Sequence, residues 1–251
     1  ASPSEAPSGA PTPWVNRQAL DGGNNNDIME GGDGDDLLYG RLGDDYLKGG
    51  AHNDYIDGHG GNDTINSGSG NDTIRGGSGN DGLSGADGDD WLYGNADNDT
   101  LIGRAGNDRL YGNVGHDIAL GGDGDDILFG NLGDDVLTGG AGADAFHFGR
   151  AEGKDQILDF DVASDSIVLD DGIRLSRTKV QDVDHDGAKD LTLTFTQGTS
   201  VTLMGVSDAK AVDFAGTDYW SDNQPGVIGF LDMVGDFLHH FPTSADLHQF
   251  G

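Results

Sequence analysis

The chain has 251 residues, only 34% of them hydrophobic, and its 13 Lys and Arg against 45 Asp and Glu give a formal charge of −32. That acidity makes nucleic acid and anionic membranes poor partners, and it opposes collapse unless a cation neutralises it. Zero Cys excludes disulfides, zinc thiolates and thiol nucleophiles, and no apolar run reaches the ~18 residues of a membrane span.

Residues 1–21 form a first unit. Four of the six prolines lie in 1–13, ASPSEAPSGAPTP, which reads as an extended, solvated linker. The stretch from Trp14 to Leu20 is expected to pack on whatever follows. No signal peptide is visible, and a start at Ala1 suits a processed product or a fragment.

Residues 22–147 are fourteen rows of nine. Position 6 is always aspartate: Asp27, Asp36, Asp45, Asp54, Asp63, Asp72, Asp81, Asp90, Asp99, Asp108, Asp117, Asp126, Asp135 and Asp144. Position 1 is Gly in every row but one, where Ser67 stands. Position 4 is Gly except at Asn25, His52 and Asp97, residue types that tolerate positive φ, so a left-handed backbone is expected there. Position 8 is a large apolar residue, from Met29 and Leu38 to Leu137 and Phe146, with Ala119 the one small member. The pattern predicts a six-residue glycine turn followed by a three-residue strand. Such a unit cannot fold alone; stacked rows bury position 8 in a shared core and need caps.

Residues 148–222 lose the period and gain β-branched alternation. Strands are predicted at 156–160, 166–169, 191–195 and 200–204, with turns at Asp171-Gly172 and Gln197-Gly198, together a β-rich cap. In the last unit, 223–251, Val227, Leu231, Val234, Leu238 and Phe241 have helical spacing, which predicts an amphipathic helix over 226–241 weakened by Gly229 and Gly235.

Aspartates at one phase of a glycine-rich turn point to a hard cation. Ca²⁺ takes six to eight oxygens and accepts backbone carbonyls, which glycine turns can aim inward. One turn supplies about half a shell, so two stacked turns must share each ion. Mg²⁺ prefers rigid octahedra, and scattered His without Cys disfavour zinc and copper. Aspartates that merely cap turns would not account for so acidic a chain at a fixed phase. A second candidate is the loop Asp182, Asp184, Asp186, Gly187, Asp190, spaced like a calcium loop although Leu193 stands where an EF-hand has Glu; it is expected to hold one further Ca²⁺.

The rows resemble the RTX (repeats-in-toxin) nonapeptide, G-G-x-G-x-D-x-U-x with U large and apolar. The resemblance covers 22–147 and implies an all-β fold, a right-handed parallel β-roll, here with a β-rich C-terminal cap and a short C-terminal helix. It implies that each ion lies between one turn and the turn eighteen residues on. The first turn gives the carbonyls of positions 2 and 4 with its Asp; the second gives those of positions 1 and 3 with its Asp. Carried over, one site joins Gly32, Gly34 and Asp36 to Gly49, Ala51 and Asp54, and another joins Gly122, Gly124 and Asp126 to Gly139, Ala141 and Asp144. Gly43, Gly61, Gly68, Gly70, Gly77, Gly79, Gly88, Gly106, Gly115 and Gly133 fall at ligand positions of the other rows. Two columns of seven rows allow about twelve ions. Arg41, His59 and Arg104 depart from the pattern at position 2.

The resemblance also implies folding on calcium outside the cell and export by a type I system, with an uncleaved signal within 223–251. The ending Asp246 to Gly251 does not match the acidic-hydrophobic terminus of RTX proteases. No hydrolase, P-loop or dinucleotide motif appears, so no catalysis is expected. The expected role is a secreted calcium-binding structural or adhesive protein of the cell surface or extracellular matrix. The alternative is a C-terminal folding and secretion module of a larger secreted protease, lipase or alginate epimerase. Positions 7 and 9 should face outward. In even rows they include Leu37, Tyr39, Tyr55, Trp91, Tyr93, Tyr111, Ile127 and Phe129, a candidate surface for self-association or a matrix partner.

Overall fold

A computed structural model describes residues 17–170, 172–196, 198–208 and 212–215. The linker 1–13, Trp14, the helix expected over 226–241 and the signal expected in 223–251 lie outside these residues. So do Asp171 and Gln197 of the two expected turns.

Strand β1 is Ala19–Gly23 and β2 is Ile28–Asp33; strands then recur every nine residues through β14, Val136–Ala141, to β15, Ala145–Phe148. From β2 to β14 each strand has six residues, not the three expected, because it runs from position 7 of one row through position 3 of the next. Every neighbour pairing is parallel and offset by eighteen residues, as in Leu38↔Ile56 and Leu47↔Ile65. Two rows therefore make one coil. Odd-numbered strands form one sheet and even-numbered strands the other. From Leu38 to Phe146 every position-8 side chain is at most 1% exposed. These form one narrow core between the sheets, each burial contributing about 1.5–3 kcal/mol.

The coiling does not stop at residue 147. Strand β16, Lys154–Ile157, pairs in parallel with β14, and β17, Ser166–Leu169, pairs in parallel with β15. The offsets rise to twenty and twenty-one residues (Val136↔Gln156, Ala145↔Ser166). Short insertions hide the period from the sequence while the strands keep it. Beyond them β18 (Leu175–Gln181), β19 (Asp190–Phe195) and β20 (Ser200–Leu203) form an antiparallel set joined to β16 through β20. This is the β-rich end expected, and Leu191, Leu193, Phe195, Val201 and Leu203 extend the core into it. Strand β18, LSRTKVQ, has no buried alternation to announce it. A last short strand, β21 (Asp213–Ala215), pairs with β17. At the other end Leu20 in β1 packs on the core, partly buried.

Candidate metal centres

Three backbone requirements shape each turn. Position 4 is left-handed, as His52 (φ 81°) and Asp97 (φ 75°) show, whereas Asn25 is not among the residues with positive φ. Position 2 is left-handed too, even where it carries a side chain, as at Arg41 (φ 81°) and Arg104 (φ 89°). Those departures from glycine therefore keep the turn, at a backbone cost of about 1–3 kcal/mol each. Position 1 leaves little space for a side chain, and Ser67 is the one residue in the fourteen rows that carries one there. A Cβ on Gly31 would strike the Asp36 carboxylate and lie 2.7 Å from the Gly49 carbonyl oxygen. A carboxylate of one turn and a carbonyl of the next coil thus converge where a side chain would be.

The aspartates of position 6 are linked up each column. Asp72 donates its backbone N–H to Oδ1 of Asp90 (2.8 Å), which donates its own to Oδ1 of Asp108 (2.8 Å). Oδ2 of every repeat aspartate, Asp27 to Asp144, is buried without a hydrogen-bond partner, and so is Oδ2 of Asp155. A buried unpaired polar atom costs about 1–3 kcal/mol, more when charged. Burial pushes Asp54, Asp81, Asp90, Asp99 and Asp126 up to about 7 and Asp63, Asp108, Asp117 and Asp144 up to about 6. The backbone N–H that each accepts offsets only part of this. Oxygen-only donors, anionic and without a protein partner, fit a hard divalent cation and not a nitrogen- or sulfur-preferring metal.

A second ladder was not anticipated from the motif. At position 5, Asn62 donates its N–H to Oδ1 of Asp44 (2.8 Å), Asn80 to Oδ1 of Asn62 (2.8 Å) and Asn98 to Oδ1 of Asn80 (2.9 Å). It runs opposite to the position-6 ladder, side chain to the following coil. The signal was present in the sequence, since position 5 is Asn or Asp in twelve of the fourteen rows.

In the loop after β18, carboxylate oxygens of Asp182, Asp184 and Asp190 lie within 4.8 Å of one another. Asp186 is not part of that group; its Oδ1 accepts the Ala188 N–H instead. Asp190 is anchored by N–H donors from Gly205 (2.8 Å) and Val183 (2.7 Å), which hold it below the usual carboxylate range.

On the outside of the odd-strand sheet, position 9 forms a stack. Tyr93–Tyr111, Tyr111–Phe129 and Phe129–His147 have ring centroids 4.9, 4.5 and 4.2 Å apart, close to the spacing of parallel strands. Arg75 lies over Tyr55 and Tyr93, and Arg109 over Trp91 at 5.0 Å. The rings are half-buried against one another, with Trp91 the most open at 41%. Among the described residues no helix is long and apolar enough to cross a membrane.

A two-sheet parallel roll with a column of buried, unpaired aspartates along each line of turns is a cation-binding solenoid. The model of the RTX calcium-binding nonapeptide repeat matches at 21–51, 48–83, 84–119 and 120–151. The chain belongs to that family, and calcium is the ion its repeats bind and fold around. No curated protein matches. Similar solved structures include the extracellular lipase LipA from Serratia marcescens (22% identity, TM-score 0.27), where the match covers 73% of this chain and 40% of the lipase. Another is the AlgE6R3 subunit from the Azotobacter vinelandii mannuronan C5-epimerase (31% identity, TM-score 0.23), covering 58% of this chain and 88% of that one. The chain thus spans less than half the length of the lipase.

Proposed function

We propose that this is a secreted calcium-binding protein with a structural or adhesive role at the cell surface or in the extracellular matrix. The observation that carries the calcium half of the reading is the unbroken run of buried Oδ2 atoms with no partner. Each ion sits between two turns of one column, as between Gly32, Gly34 and Asp36 on one side and Gly49, Ala51 and Asp54 on the other. The convergence of Asp36 Oδ2 and the Gly49 carbonyl beside Gly31 supports that assignment. About twelve such sites fill the roll, and Asp182, Asp184 and Asp190 hold one more.

The mechanism is metal-coupled folding, in which binding free energy becomes folding free energy. At low calcium the charge of −32 keeps the chain expanded. At millimolar calcium outside the cell the carboxylates are neutralised and the coils stack. Export through a type I system suits a chain that stays unfolded until it emerges. The aromatic and Arg-bearing face of the odd-strand sheet is the surface for self-association or a matrix partner. A second reading, a folding and secretion module of a larger secreted enzyme, is favoured by the linker-like composition of 1–13.

Far-ultraviolet circular dichroism with and without a calcium chelator tests the folding mechanism: a spectrum indifferent to the chelator refutes it. Electron microscopy in both conditions tests the role. Ordered assemblies that appear only with calcium support the structural reading, and dispersed monomers favour the module.

A further inference from the structure

The column of unpaired carboxylates runs past the last glycine-rich row. Residues 150–158, RAEGKDQIL, lack the two leading glycines of the repeat motif and keep only Gly153, Asp155 and Ile157 of it, at a shifted phase, and the family match ends at 151. Yet they repeat its bonding position by position. Ala151 (φ 57°) and Gly153 (φ 128°) are left-handed, as positions 2 and 4 are elsewhere. Gly133 donates its N–H to the Glu152 carbonyl (2.6 Å), the bond that Gly43 makes with Gly60. Lys154 N–H donates to Asp134 Oδ1 (2.9 Å), continuing the position-5 ladder. Asp135 N–H donates to Asp155 Oδ1 (3.0 Å), continuing the position-6 ladder, and Ile157 is fully buried at position 8. Asp155 is 2% exposed, and its Oδ2 has no partner.

The other column ends differently. Asp165 takes the position-6 place there, accepting the Asp144 N–H at Oδ1 (3.1 Å). Its Oδ2, however, accepts the N–H of Asp161 (2.8 Å), so the chain itself satisfies that carboxylate. One column therefore closes on a backbone donor, and the other leaves an oxygen open between two coils.

We infer that the turns 131–135 and 150–155 hold a further calcium ion, bound by the carboxylates of Asp135 and Asp155 with the backbone carbonyls of Asn131, Gly133, Arg150 and Glu152, and that no ion binds between Asp144 and Asp165. The site keeps the glycine of position 4 and dispenses with the two leading ones, because the left-handed turn at Ala151 is held by its neighbours and the carbonyl donors belong to the backbone. It locks the first coil of the β-rich end onto the roll. The inference rests on the calcium reading of the repeats.

The test is a count of ions bound at saturating calcium by equilibrium dialysis of the full chain and two variants, with folding followed by circular dichroism. Asp155→Asn is expected to bind one ion fewer than the parent and Asp165→Asn the same number as the parent. A parent that binds no calcium sinks the reading of the repeats themselves. A calcium-binding parent with an unchanged count in Asp155→Asn overturns only this site, and a lost ion in Asp165→Asn overturns the claim that the second column closes without one. If Asp155→Asn does not fold, a crystal of the parent grown in calcium decides. An anomalous peak between Asp135 and Asp155 supports the site, and its absence there, with peaks between the regular rows, overturns it.

Discussion

Asp36 donates its backbone N–H to Oδ1 of Asp54, eighteen residues on, at 2.7 Å, while Oδ2 of both carboxylates stays buried without a partner. One oxygen of each aspartate is used to register the coils and the other is left for the ion. The two functions can be separated by substitution. Asp90→Asn keeps an Oδ1 able to accept the Asp72 N–H and removes the anionic charge from two neighbouring sites. It is expected to raise the calcium concentration for half-folding by about tenfold or more, with the fully loaded spectrum unchanged. A calcium titration followed by circular dichroism measures this; an unmoved midpoint would mean that Asp90 serves register alone.

The same unpaired oxygens set the pH dependence. Without calcium, Asp54, Asp81, Asp90, Asp99 and Asp126 hold protons in the folded roll up to about pH 7, against an ordinary value of 3.8. Between those limits the folded state binds more protons than the unfolded one, so its stability falls as pH rises. The contribution is complete below pH 3.8 and lost above about 7. Acidifying a chelated sample from pH 8 toward 5 should therefore recover β structure, and calcium added near pH 6.5 should release protons. Circular dichroism and a pH-stat read the two effects. A chelated chain that is less structured at pH 5 than at pH 8 would contradict the assignment.

Ser67 breaks the rule for position 1 and shows what it protects. Its side chain is fully buried, and Oγ donates to the Gly85 carbonyl (2.7 Å), the oxygen that the second turn of that site would offer an ion. A hydroxyl proton competes with a cation for that lone pair. Ser67→Gly is expected to tighten the site between Asp72 and Asp90 and to lower the calcium midpoint, read in the same titration. A higher midpoint would mean that Oγ acts as a ligand.

What the sequence makes legible here is whatever recurs at a fixed phase and differs in kind from its neighbours. Position 6 and position 8 satisfy both conditions, so the recurring aspartates and the core could be read directly, while the coil of eighteen came from the resemblance to the RTX nonapeptide. The Asn and Asp of position 5 recur almost as faithfully, but beside an invariant aspartate they look like more acid; only the bond from Asn80 N–H to Asn62 Oδ1 separates their role. The row holding Asp155 fails the phase condition, because extra residues put it twenty rather than eighteen beyond Asp135. Strand β18 fails the other, since the partner that selects it, β19, lies beyond the acidic loop and its own side chains carry no burial pattern.

The position-5 ladder has one link of another chemistry, and it supplies a test of whether the ladder matters. His116 donates its N–H to Asn98 Oδ1 (2.7 Å), and its Nδ1 accepts the N–H of Asp134 (2.9 Å), the place an Asn or Asp Oδ1 fills elsewhere. His116→Ala removes that acceptor and leaves the Asp134 N–H to water. A net hydrogen bond is worth about 0.5–1.5 kcal/mol, and the loss should appear as a lower melting temperature at saturating calcium. His116→Asn replaces the ring nitrogen with the amide oxygen of the other rows and should restore the parent value or exceed it. If alanine and asparagine melt alike, the ladder follows from the stacking of the coils and does not hold them together.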